Sequence, residues 1–253
     1  LLLAAATRLE AQELSAPPPA VELSAAEPRS TPTAPRLAWI ALAIAGLIAA
    51  ALLAYEIGDG SPLAWDRAII LALRTPGDTA QPLGPAWLHA AMVDITALGS
   101  GTILTCVVLA VVGLFLVQRL WLTAALVLVA TLGGSIIAGQ AKYWVGRPRP
   151  ELVDHLVQVT GLSFPSGHAT NSAIIYLTLA GLVAQVTPHR VVRRYVLLLA
   201  VVLVGAIGVS RVYLGVHWPS DVLAGWSAGT GWAALWWWIA ATVRGRLGGT
   251  ARR

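Results

Sequence analysis

Long apolar runs separated by short polar clusters set the pattern of this chain. A helix needs about 20 apolar residues to cross a bilayer. Six stretches reach that length, roughly 37–56, 95–117, 120–141, 168–187, 195–214 and 220–243. All are predicted to be helical, because backbone polar groups in lipid must be satisfied within their own segment. The expected fold class is therefore all-α, a polytopic membrane protein built as a six-transmembrane-helix bundle. Between the first two spans, DRAIILALR (66–74) predicts a short amphipathic helix lying along the membrane surface and ended by the turn TPGD. The other long connection, 142–167, follows the third span. No internal repeat is visible.

Composition agrees with this pattern. Of 253 residues, 57% are hydrophobic and 11% charged, where a soluble domain carries about a quarter charged. Mean hydropathy is +0.73. Residues 1–36, rich in Ala, Pro, Glu and Ser, bury too little apolar surface to order themselves and are expected to be a disordered tail. The opening LLLAAA is too short for a signal-peptide core and has no basic residues before it. The membrane domain is expected over 37–243, with a basic tail over 244–253. The lone cysteine, Cys106, excludes an intrachain disulfide.

The net charge of +5 is almost all arginine, with Lys142 the single lysine. In a membrane chain such an excess marks cytoplasmic loops, and it does not point to a nucleic-acid partner. Threading six spans puts Arg8, Arg29, Arg36, Arg119, Arg190, Arg193, Arg194, Arg244, Arg246, Arg252 and Arg253 on the side of the N-terminus. Arg67, Arg74, Lys142, Arg147, Arg149 and Arg211 fall on the other. The richer side is cytoplasmic by the positive-inside rule. Both termini are then expected inside a plasma membrane. Trp236, Trp237 and Trp238 would form an aromatic belt at the cytoplasmic end of the last span.

Three polar clusters break the apolar pattern, and all emerge on the charge-poor side: KYWVGRPRP (142–150), FPSGHATNS (164–172) and SRVYLGVHWPSD (210–221). Polar groups at membrane depth are costly and mark function. Lys142, Arg149 and Arg211 around one spot repel each other unless they share an anion of high charge, and a phosphate or diphosphate fits. Arg147 and Arg74 read instead as ordinary loop or headgroup-contacting charges. In PSGH, Pro165 suits a helix entrance, Ser166 offers a hydroxyl, and Gly167 lets backbone approach a ligand. The N–H groups of Ser166, Gly167 and His168 would open a helix toward an anion. His217 and Asp221 are four apart, a spacing that places both on one helical face. Asp221 can then hold the Nδ1 proton and leave Nε2 free. His89, His155 and His189 have no such partner. One carboxylate among cations makes a poor metal site, so neither metal nor cofactor is expected.

Lys142 with Arg149–Pro150, the run Pro165–His168, and Ser210–Arg211 with His217 and Asp221 together resemble the three-part signature of the type 2 phosphatidic acid phosphatase superfamily. The resemblance covers roughly 95–243. It implies hydrolysis of a membrane lipid phosphate or diphosphate. His217 would be the nucleophile forming a phosphohistidine, Asp221 its orienting carboxylate and His168 the acid that becomes a base. Lys142, Arg149, Ser166, Gly167 and Arg211 would hold the phosphate oxygens. The partners implied are the lipid substrate and the bilayer, with the oligomeric state left open. The site would face outward, which favours undecaprenyl diphosphate, ahead of phosphatidylglycerol phosphate and phosphatidate. A lipid phosphotransferase could use the same phosphohistidine. An anion transporter fits less well, because transporters carry polar groups at the midplane. The connection over 59–93 is expected to border the route of the lipid head.

Overall fold

The computed structural model of the protein describes residues 33–58 and 60–250. Most of the expected tail, residues 1–32, lies outside the described residues, as do 251–253. The elements in chain order are α1 (Thr33–Glu56), α2 (Ala64–Ala72), β1 (Arg74–Thr75), β2 (Asp78–Pro82), α3 (Ala86–Ala97), α4 (Gly101–Val117), α5 (Trp121–Val145), α6 (Gly167–Ser172), α7 (Thr178–Val186), α8 (Arg190–Tyr213) and α9 (Pro219–Thr250). A single π turn, Ala173–Leu177, joins α6 to α7. The chain is mostly helical. Among the described residues it departs from an all-α fold only in the antiparallel hairpin β1–β2, whose turn is the expected TPGD with Gly77 at φ +87°.

Six spans were expected. Among the described residues, three helices are long and apolar enough to cross a membrane: Arg36–Glu56, Trp121–Val145 and Arg190–Tyr213. A fourth arises if Ala86–Ala97 and Gly101–Val117, bent by 49°, are one span. Two physical features separate the other two segments from this test. The segment 167–186 is divided by the π turn, and α9 is rich in Gly and Trp, whose hydropathy is low. The helix α1 starts at Thr33, inside the expected tail, and α9 runs on to Thr250, through most of the expected basic tail.

The Gly and Trp residues of α9 are its packing surface. Trp226, Trp232 and Trp237 each seat an indole on a glycine of a neighbouring helix, Gly208 of α8, Gly134 of α5 and Gly181 of α7. Each ring N–H then donates to the carbonyl four residues before that glycine: Trp226 to Val204 (3.1 Å), Trp232 to Ala130 (2.7 Å) and Trp237 to Leu177 (3.0 Å). Trp237 is therefore a helix-to-helix key rather than a belt residue. The helix α1 meets α9 through another small pair, where a Cβ on Gly46 would lie 2.9 Å from the Gly231 Cα. Small residues of this kind let helices approach closely in lipid. Otherwise α1 is buried over only 6% of its apolar window, and Leu42, Ile44, Leu52 and Tyr55 stand exposed. Such a surface suits a lipid environment.

A methyl on Gly208 would drive into the Trp226 ring, whereas nothing lies within 4 Å of a Cβ on Gly205 of the same helix. Gly208→Ala is expected to lower stability by about 1–3 kcal/mol. Gly205→Ala should leave it equal or slightly raised. Thermal unfolding of both variants in one detergent checks the contrast.

Candidate active site

His217 sits in the turn between α8 and α9. Gly215, at φ +74°, makes that turn, and a Cβ there would strike the Arg74 guanidinium (2.5 Å) and Val153 (2.8 Å). Pro219, with its fixed φ, starts α9. His217 therefore precedes the helix, and it does not share a helical face with Asp221 as the spacing suggested. Asp221 lies in the first turn of α9, and its Oδ2 accepts the Trp218 backbone N–H at 3.0 Å, half of a capping box. The His217 Nδ1 stands 3.6 Å from Oδ2, an ion-pair distance rather than a direct hydrogen bond. The Ser163 hydroxyl fills the gap. It lies 3.3 Å from Nδ1 and donates to Oδ2 at 2.5 Å.

The other ring nitrogen fixes the tautomer. The His217 Nε2 is 3.2 Å from Nη1 of Arg149. A guanidinium only donates, so Nε2 must accept and the ring proton sits on Nδ1, facing Ser163 and Asp221. Burial holds the His217 pKa down to about 4, against the raising effect of Asp221 and with further lowering by Arg149 and Arg211. The imidazole is therefore neutral at pH 7, with its Nε2 lone pair available.

The three cations come from three different segments. Lys142, in the last turn of α5, donates to the carbonyls of Leu162 and Pro165, both at 3.1 Å. Arg149 is pinned by the carbonyls of Val216 (2.7 Å), Gly161 (2.9 Å) and Thr160 (3.0 Å). Burial lowers its pKa and the Asp221 charge raises it. Arg211, in the last turn of α8, donates to the Thr96 hydroxyl at 2.9 Å. His168, in the first turn of α6, is within electrostatic reach of Arg211, His217, Arg149 and Lys142. It packs beside Gly99, where a Cβ would lie 3.2 Å from its ring. That approach falls at the break between α3 and α4, which is why the predicted span 95–117 divides there. Gly167 faces the Lys142 stem, which a Cβ would meet at 3.7 Å.

Ser166 differs from its expected role in one respect. Its backbone N–H donates to the Asp221 carbonyl at 3.1 Å and is not free for a ligand. Its hydroxyl is buried and makes no hydrogen bond within the protein, and the same holds for the Arg211 Nε. Buried donors in that state are costly unless an acceptor joins them. A tetrahedral oxyanion between Arg149, Arg211, Lys142 and Ser166 would supply acceptors. The eight residues singled out in the sequence thus converge on one end of the bundle. Among the described residues no group of three or more His, Cys, Asp or Glu is placed to hold a metal.

Two arginines were misjudged from sequence. Arg147 is fully buried, not a loop charge. Its Nη1 donates to Asp221 Oδ1 (2.6 Å) and to the Ser220 hydroxyl (2.7 Å), and its Nη2 to Asp66 Oδ2 (2.9 Å) and the Ser61 carbonyl (3.1 Å). The guanidinium also lies 5.5 Å from the Trp218 ring centroid. Arg74 is buried too and donates to the Tyr213 carbonyl at 3.0 Å, bracing the turn that carries His217. Helix α2 brings Asp66 and Ile70 into the protein, both fully buried. Helix α2 is therefore part of the scaffold beneath the site. The amphipathic stretch 66–74 was expected along the membrane surface; the side on which Asp66 falls could not be told from the pattern alone.

The profile of the PAP2 superfamily matches residues 120–244, which hold all eight of these residues. The chain is 34% identical over 149 residues to phosphatidylglycerophosphatase B of Bacillus subtilis, covering 56% of this chain and 70% of that protein. It is 38% identical over 71 residues to an undecaprenyl-diphosphatase of Sulfolobus acidocaldarius, but spans only 30% of that protein's length. A crystal structure of a transmembrane PAP2-type phosphatidylglycerolphosphate phosphatase from Bacillus subtilis superposes with a TM-score of 0.61 at 29% identity, covering 78% of this chain and 93% of that one. The shared length, the shared fold and the position of the profile over the three polar clusters lead to one conclusion: the chain belongs to the PAP2 superfamily and is a membrane-embedded lipid phosphatase.

Proposed function

We propose that the protein hydrolyses a membrane lipid phosphate or diphosphate through a phosphohistidine at His217, without a metal, on the extracytoplasmic side of a membrane crossed by six helices. The observation that carries this reading is the His217 ring, with Nδ1 facing Ser163 and Asp221 and Nε2 turned to Arg149. Nε2 attacks the terminal phosphorus in line, and as the P–N bond forms the P–O bond to the leaving group breaks, the lipid alcohol for a monophosphate or the lipid monophosphate for a diphosphate. His168 gives a proton to the departing oxygen. Asp221 offsets the positive charge that develops on the imidazole. In the second step His168 takes a proton from water, which attacks phosphorus and releases His217 with inorganic phosphate. Arg149, Arg211, Lys142, Gly167 and the Ser166 hydroxyl surround the equatorial oxygens, and such preorganised charge is the largest catalytic contribution in sites of this kind.

The outward orientation rests on the count of arginine and lysine, eleven against six. The chain shares 149 residues at 34% identity with a phosphatidylglycerophosphatase B. This raises phosphatidylglycerol phosphate to stand beside undecaprenyl diphosphate as the substrate to test first. Protein purified in detergent with EDTA is expected to release inorganic phosphate from at least one of these two lipids, with phosphatidate as the third arm. Activity that disappears with EDTA and returns with a divalent ion would overturn the metal-independent mechanism. Transfer of phosphate to an added lipid or sugar alcohol, with no free phosphate formed, would make the protein a phosphotransferase.

A further inference from the structure

We infer that Asp66, on the short helix α2 outside the matched family region, is a positioning residue for the reaction: through the Arg147 guanidinium that it shares with Asp221, it sets the placement and net charge of the carboxylate behind His217. The inference rests on the phosphatase reading above. Asp66 is fully buried and accepts four hydrogen bonds: from Arg147 Nη2 (2.9 Å), the Ser220 backbone N–H (2.8 Å), the Ser220 hydroxyl (2.6 Å) and the Leu63 backbone N–H (3.2 Å). The last closes the first turn of α2, while the bond from the Ser220 backbone N–H caps α9. One carboxylate thus ties α2 to the helix that carries Asp221.

The charge balance gives Asp66 a second consequence. Arg147 faces two buried carboxylates, at 2.9 and 2.6 Å. Asp221 with Arg147 alone would be close to neutral, and His217 would feel little negative charge. With Asp66 the cluster carries one net negative charge. That charge becomes neutral when the His217 imidazole turns positive on phosphorylation. Asp66 holds the guanidinium so that it bonds Asp221 through Oδ1, leaving Oδ2 directed at Ser163 and the ring. The other charged groups near His217, Arg149 and Arg211, are both cations, so the cluster behind the ring is the source of offsetting charge.

The isosteric Asp66→Asn variant tests this. Phosphate release from phosphatidylglycerol phosphate or undecaprenyl diphosphate is expected to fall about tenfold in kcat, the scale of a unit charge acting across two contacts, with KM within twofold of the wild type. Ser220→Ala, which removes one bond to Asp66 and one to Arg147, is expected to show a smaller drop in kcat alone. It carries the test should Asp66→Asn not fold. A second readout needs no turnover. In ¹⁵N-histidine protein, the His217 Nδ1–H resonance, assigned by its loss in His217→Ala, is expected to shift in Asp66→Asn while the resonances of His89, His155 and His189 stay in place. An unshifted resonance, or equal losses in kcat, KM and unfolding temperature, would reduce Asp66 to a folding contact. A wild-type protein that releases no phosphate from any lipid would overturn the phosphatase reading, and the resonance would still decide the role of Asp66.

Discussion

His217→Ala is expected to abolish phosphate release, by at least about four orders of magnitude, the scale seen when a nucleophile is removed from a covalent mechanism. The fold should survive. Asp221 keeps Arg147, Ser163 and the Trp218 N–H as partners when the ring is gone, so no buried charge is left unpaired. Unchanged elution in detergent and a similar unfolding temperature would show this. The residues of the site act as a unit, so His217→Ala with Asp221→Asn should be no slower than His217→Ala alone. The variant also removes the covalent intermediate. Wild-type protein quenched after mixing with ³²P-labelled substrate is expected to carry label that is stable to base and lost in acid; the variant should carry none. Substantial turnover in the variant would sink the nucleophile assignment, because no other described side chain places a neutral ring nitrogen against Arg149.

The residues proposed to touch phosphate were legible in the sequence, and the residues that hold them in place were not. Lys142, Arg149, Ser166, Arg211, His168 and His217 stand out because charge and imidazole are rare in apolar runs. Asp66, Arg147, Ser163, Thr96 and Ser220 carry no such contrast. Asp66 sits in a short helix whose pattern fits a membrane surface as well as a buried contact, and Ser163 and Thr96 are ordinary polar residues of a loop and a helix end. Arg147 was separated from Arg149 by one proline, with no periodicity to tell which would turn inward. Its pairing with Asp66, 81 residues away, is a tertiary fact. Helix positions came through where apolar length decided them, as at α5 and α8. The predicted span 95–117 is bent at Gly99 and Ser100 for a local reason: the chain passes against His168 and Ile207, and Ser100 caps the helix that restarts there. Trp237 was placed in a belt because indoles favour interfaces. The glycine that receives it lies on a different helix, beyond the reach of a pattern along one segment.

His168→Ala is expected to be the second most severe change, with a loss that depends on the leaving group. His168 lies in the first turn of α6 within electrostatic reach of His217 and the three cations, where it can give a proton to the departing oxygen. A lipid alkoxide is a poor leaving group, so a general acid there contributes about 10²–10⁴ in rate. With phosphatidylglycerol phosphate the loss should fall in that range. With p-nitrophenyl phosphate, whose phenolate leaves without help, formation of the phosphohistidine should be nearly as fast as in the wild type. The second step still needs His168 to take a proton from water, so it should stay slow. The variant is then expected to release about one equivalent of p-nitrophenolate per active site in a burst, followed by a slow steady state, and to accumulate the base-stable label that the wild type turns over. Equal losses on both substrates, without a burst, would mean that His168 only shapes the site. A burst without the lipid-selective loss would assign it to the hydrolytic step alone and require another acid for the first, and the candidates close enough to serve, Lys142 and Ser166, could then be tested by the same pair of substrates.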